Sequence, residues 1–183
     1  MRKLILATVL AAVTGLGMPA FAQQQDDDAR FESVLRAIDT TPSGAELEHH
    51  FHDAAERLIA AATDDLRDLF TRTRAIAMLA NFARPDTRAT LVGLTTDARA
   101  EIRRAAYYTL ALAFGQPGDD ALLATLARGT KDEQLEVRLH TVRALRWVQN
   151  DGAQKLLESL THDAHLGKLA TRTLERRTQS AAQ

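Results

Sequence analysis

A pattern that returns every 29 to 35 residues occupies the second part of this chain, and it restricts the fold more than any single residue does. Its clearest copy runs Glu101-Ile102-Arg103-Arg104-Ala105-Ala106, then Leu110, a break at Gln116-Pro117-Gly118-Asp119, Leu123, Leu126 and Asp132. The next copy restates it 35 residues on: Glu136-Val137-Arg138, Thr141, Leu145, a break at Asn150-Asp151-Gly152, then Leu157, Leu160 and Asp163. Upstream stand Arg72, Leu79, a break at Arg84-Pro85-Asp86, Leu91, Leu94 and Asp97. Downstream a half copy keeps Leu166, Ala170 and Leu174 but carries Gly167 where the arginine should be. Each copy reads as two apolar-periodic helices split by a Pro, Gly or Asp turn. A helix pair this short cannot bury its own apolar stripe, so the copies must stack.

The recurring series of turn Asp, paired Leu, closing Asp, Ile/Val-Arg, small residue and Leu is seen at Asp119, Leu123, Leu126, Asp132, Val137, Arg138, Thr141 and Leu145. In this it resembles the short bacterial HEAT-like repeats of the type found in phycobilisome lyase-like proteins, over residues 64 to 177. The resemblance implies an all-α fold, a right-handed α-solenoid of about four HEAT-like helix pairs, whose junction arginines Arg103 and Arg138 bond to aspartates such as Asp97 and Asp132. It implies no particular activity, since such solenoids carry many functions. The Trp, Gly-Tyr and Pro signature of tetratricopeptide units and the Thr-Pro-Leu-His of ankyrin units are both missing.

Residues 1–22 have the order of parts of a secretory signal peptide: Arg2 and Lys3, an apolar stretch from Leu4 to Leu16, and Ala20-Phe21-Ala22. That stretch falls short of the ~20 apolar residues a spanning helix needs, so export to the periplasm or beyond is expected, with no integral membrane span. Residues 23–28, Gln-Gln-Gln-Asp-Asp-Asp, are expected to form a disordered polar tail. Residues 29–63 read as an acidic helical cap, in which Ser43 and Glu46 have capping-box spacing ahead of one helix reaching about Ala62. The repeats then fill 64–178, and 179–183 form a flexible end.

Residues 23 to 68 hold 12 acidic and 4 basic side chains, a net −8, whereas residues 69 to 183 hold 12 acidic and 17 basic, a net +5. A polarised but nearly balanced chain argues against a nucleic-acid binder, which carries a much larger basic excess. With no cysteine, disulfides and thiolate metal sites are excluded.

Two clusters carry chemistry. On a continuous helix His49, His52 and Glu56 would share a stripe, two imidazoles and a carboxylate suited to zinc or nickel. Nothing in the sequence matches a fourth ligand to them, so the stripe is a weak metal candidate and no cofactor is called for. Iron-binding HEAT-like enzymes use His-Glu dipeptides, of which this sequence has none. It also lacks a Gly-x-Ser-x-Gly elbow and a Gly-rich phosphate loop, so the expectation is a binding scaffold and not an enzyme. The second cluster is basic and aromatic. Arg104, Tyr108, Arg143, Arg146 and Trp147 fall on successive first helices outside the junction register, and Arg, Tyr and Trp are the residue types that anchor protein interfaces. They are the expected contacts to a protein partner, an acidic or flexible segment. His140, His162 and His165 are read as solvated or junction residues.

Overall fold

The computed structural model describes residues 20–38 and 40–181, and every regular element among them is helical. The helices are α1 (Ala20–Arg36), α2 (Gly44–His50), α3 (Ala54–Thr63), α4 (Leu69–Met78), α5 (Pro85–Leu94), α6 (Ala100–Phe114), α7 (Asp120–Gly129), α8 (Leu135–Ala144), α9 (Asp151–Leu160) and α10 (Gly167–Ala181). Helices α4, α6, α8 and α10 lie side by side in one layer, and α3, α5, α7 and α9 stack behind them. The result is an all-helical solenoid in which four packed pairs, α3/α4, α5/α6, α7/α8 and α9/α10, follow one another.

The apolar positions of the repeat are the core. Ile102, Val137 and Leu166 precede the junction position, Ala75, Ala106, Thr141 and Ala170 follow three residues after it, and Leu79, Leu110 and Leu145 follow seven after it; all are buried. A spacing of four and again four places these side chains on one face, pointed into the gap between the layers. Two of the three breaks cap the helix that follows. Asp119 Oδ1 accepts from the Leu122 N–H at 2.7 Å and Asn150 Oδ1 from the Ala153 N–H at 2.8 Å, while Pro85 opens α5.

Between repeats runs a ladder of arginines. Arg72, only 1% exposed, donates to Asp97 Oδ2 at 2.8 Å, to Asp65 Oδ1 at 2.7 Å and to the Ala62 carbonyl at 3.0 Å. Arg103, 7% exposed, grips Asp132 with two bonds of 2.8 Å and donates back to the Asp97 and Ala98 carbonyls at 3.0 and 3.1 Å. Arg138 donates to the Asp132 and Glu133 carbonyls at 2.8 and 3.0 Å. Each of Asp97 and Asp132 thus serves two arginines, its carboxylate holding the earlier and its carbonyl the later. Their carboxylates also accept from the turn, from the Arg99 N–H at 2.8 Å and the Gln134 N–H at 2.9 Å. At the fourth rung Gly167 replaces arginine because a Cβ there would sit 2.3 Å from the Thr161 carbonyl oxygen, where no side chain fits.

The two ends of the stack differ from expectation in three places. Residues 23–28, expected as a tail, continue the helix of α1: Gln, Asp and Ala are tolerated in a helix, and Asp28 is held by Arg57 at 2.6 Å. The C-terminal end expected to be flexible likewise continues α10 as far as Ala181. The single helix expected after Ser43 is broken. Its capping box is present, with Ser43 N–H donating to Glu46 Oε2 at 2.8 Å, but α2 stops at His50 and Phe51 adopts an extended conformation. That bend buries Phe51 edge-on against Phe31 at 5.2 Å, under the Arg57 guanidinium, and lets Leu47, Ala54, Ala55 and Leu58 all turn inward. The leader expected over residues 1–22 lies outside the described residues apart from Ala20–Ala22, which open α1. Arg74 fastens the cap to the repeats by donating to the Val34 and Thr40 carbonyls.

Candidate partner-binding face

The break at Phe51 separates the expected metal stripe. His49 lies in the last turn of α2, His52 in the turn that follows and Glu56 in α3, so the i, i+3, i+7 relation on which the stripe depends is lost. Glu56 is instead engaged by Arg84, whose guanidinium lies 2.6 Å away and holds the carboxyl below its ordinary range. Among the described residues no group of three His, Asp or Glu side chains is arranged to hold a metal ion.

The basic and aromatic residues, by contrast, come together. Counted from the junction position, Ala77, Tyr108, Arg143 and Arg172 are equivalent, each five residues on, and they form a row across α4, α6, α8 and α10. Beside this row a shallow groove is lined by Ala77, Arg104, Tyr108, Thr109, His140 and Arg143. Arg146 crosses between repeats, donating to the Tyr108 hydroxyl at 3.2 Å with its guanidinium stacked 4.5 Å over the Trp147 ring. The five expected contact residues therefore share one face, though unequally exposed. Arg143 is exposed, whereas Arg104, Tyr108, Arg146 and Trp147 are half-buried.

A close approach of backbones sets Trp147 in place. A Cβ on Gly115 would stand 2.4 Å from the Trp147 carbonyl oxygen, so only glycine lets the end of α6 meet the 3-10 turn Leu145–Trp147. The Gln149 N–H donates to the Gly115 carbonyl at 2.8 Å and locks that contact. Two donors nearby, Arg146 Nε and Trp147 Nε1, are shielded from solvent and have no acceptor among the described residues.

The sequence reading missed Arg172 and Arg176. With Arg143, Arg146, Leu169 and Thr173 they line a pocket between α8 and α10. The signal for Arg172 was available, since it repeats the register position of Arg143 29 residues later. The surface arginines are not all engaged alike. Arg57, Arg84 and Arg88 all pair with carboxylates, and Arg88 binds Asp119 through two bonds of 2.6 Å that bring the Asp119 carboxyl down to about 2. No carboxylate pairs with Arg104, Arg143, Arg146, Arg172 or Arg176 among the described residues.

No protein-family model matches the chain, and no curated protein matches it in sequence. Among solved structures it is similar to human deoxyhypusine hydroxylase in complex with glycerol, with a TM-score of 0.55 and 21% identity over 78% of this chain and 46% of that one. The chain spans about half the length of that structure, and at this identity the likeness is one of fold: a HEAT-repeat helical solenoid. It also corrects the expectation that a chain of this kind is a scaffold and not an enzyme. The similar structure is that of an enzyme, so the arrangement of helices does not exclude catalysis. The physical reason is that catalytic side chains are carried on surface positions of a solenoid whose core need not change.

Proposed function

We propose that this chain is an interaction module of the short bacterial HEAT-like type, and that the face of α4, α6 and α8 receives an acidic or flexible segment of a protein partner. The observation that carries the reading is the division among its arginines: those in repeat register are bonded at the junctions, while Arg104 and Arg143 on the same helices have no carboxylate. Tyr108 and Trp147 add large amphipathic contact area beside them, and extended solenoid faces are well suited to an elongated ligand. Repeat steps of 31, 35 and 29 residues, from Arg72 to Arg103, Arg138 and Gly167, support the short repeat type.

The test is capture from envelope extract by wild type and by the Arg104→Glu/Arg143→Glu variant. The expected result is an unchanged melting temperature with capture reduced at least tenfold, because charge reversal opposes an acidic segment. Equal capture by both proteins overturns the reading. We further propose that residues 1–22 are removed on export, so that the module works in the periplasm or outside the cell. Mass spectrometry of the envelope protein is expected to find Gln23 at its start, and a retained Met1 sinks this part.

A further inference from the structure

The pocket between α8 and α10 differs from the groove beside it in what surrounds it. Four arginines, Arg143, Arg146, Arg172 and Arg176, line it together with Thr173 and Leu169, and no carboxylate does. Arg57 is paired with Asp28 and Asp53, Arg72 with Asp65 and Asp97, and Arg103 with Asp132 and Glu133, whereas none of the four in the pocket has a carboxylate partner among the described residues. Like charges held together without a counter-charge repel, and an anion placed among them relieves that repulsion. The pocket is specific to the last repeat. The positions equivalent to Arg172 and Arg176 are Tyr108 and Leu112 on α6, and Ala77 on α4 with Asn81 in the 3-10 turn Leu79–Asn81 after it, so the two arginines have no counterpart there.

From this cluster of four arginines with no carboxylate partner among the described residues we infer that the α8–α10 pocket binds a phosphate-type oxyanion, a tetrahedral dianion carried by a soluble phosphate or by a lipid phosphomonoester. A carboxylate has one charge and two oxygens and engages one guanidinium fork. A phosphate dianion has more charge and more acceptors, and it accepts forks from two helices at once. Because the site takes Arg143 and Arg146 from the proposed partner face but adds Arg172 and Arg176 from outside it, its test is made on the latter two.

The experiment is calorimetric titration of the full chain with inorganic phosphate and, separately, with acetate at equal ionic strength. Phosphate is expected to bind one to one, at least tenfold more tightly than acetate. The Arg172→Ser/Arg176→Ser variant should lose at least tenfold in phosphate affinity while partner capture persists. The Arg172→Lys/Arg176→Lys variant, which keeps the charge and removes the forks, should lose several-fold. A wild type that binds phosphate no better than acetate overturns the site, and so does a lysine variant of undiminished affinity. Vesicles carrying phosphatidic acid separate the sources. Binding to them that inorganic phosphate displaces identifies a lipid group, and phosphate binding without vesicle binding identifies a soluble one; both support the site.

Discussion

Arg103 and Arg104 are neighbours on α6, yet one belongs to the interior of the solenoid and the other to its open face. Arg103 makes five hydrogen bonds, to Asp132, Glu133 and the Asp97 and Ala98 carbonyls, whereas Arg104 faces the groove lined by Tyr108 and Arg143. A rotation of about 100° around a helix separates the two fates. The comparison teaches that in a stacked fold the role of a charged side chain follows from its register within the repeat. Residues that recur with the repeat meet the same neighbours in every unit, and residues that do not recur are left to surface chemistry.

The comparison rests on the register being right, and its hardest test is the core. Leu110→Ala and Leu145→Ala should each cost about 2 to 5 kcal/mol, because these fully buried leucines leave cavities between stacked helices. A loss below about 1 kcal/mol in urea melts would break the register and the comparison together. Next comes the junction itself. Arg103→Ala removes the partner of Asp132 in a pair with side chains 9% and 8% exposed, and should cost about 3 kcal/mol. Arg138→Ala loses only bonds to two carbonyls and should cost about 1 kcal/mol, while Arg104→Ala should change stability by less than about 0.5 kcal/mol. Equal effects at Arg103 and Arg104 would erase the distinction between the two regions.

The smallest effect separates buried from exposed pairs in acid. Arg103 holds the Asp132 carboxyl, and Arg88 the Asp119 carboxyl, below the ordinary carboxylate range. A depressed folded-state value means that the contribution is complete above about pH 4 and is lost as pH falls through the folded value, about 2 for Asp119. The stability gap between wild type and Asp132→Asn should therefore be large at neutral pH and shrink on acidification. The gap for Asp119→Asn should shrink over the window from about 4 to 2 and stay below about 1 kcal/mol throughout, because that pair is half exposed and screened by solvent.

The sequence carried the stack on its own. A return of the same apolar spacing every 29 to 35 residues forces equivalent helices to bury equivalent faces, so Ile102, Val137, Leu110 and Leu145 were legible as core before any contact was known. The junction arginines followed from the same periodicity. Outside the repeat the reading failed. Helical spacing from Ser43 onward gave no sign that Phe51 would leave the helix to pack on Phe31, a residue from another helix, and with that bend the stripe of His49, His52 and Glu56 came apart. Likewise the polar composition of residues 23–28 gave no sign that they continue a helix, or that Asp28 pairs with Arg57 of α3. Periodicity records what neighbouring units share, because each unit meets its neighbour in the same way. Contacts between elements that occur only once, such as α1 against α3 or Arg146 and Arg176 across the last junction, are set by where the stack places them, and only the tertiary structure contains that information.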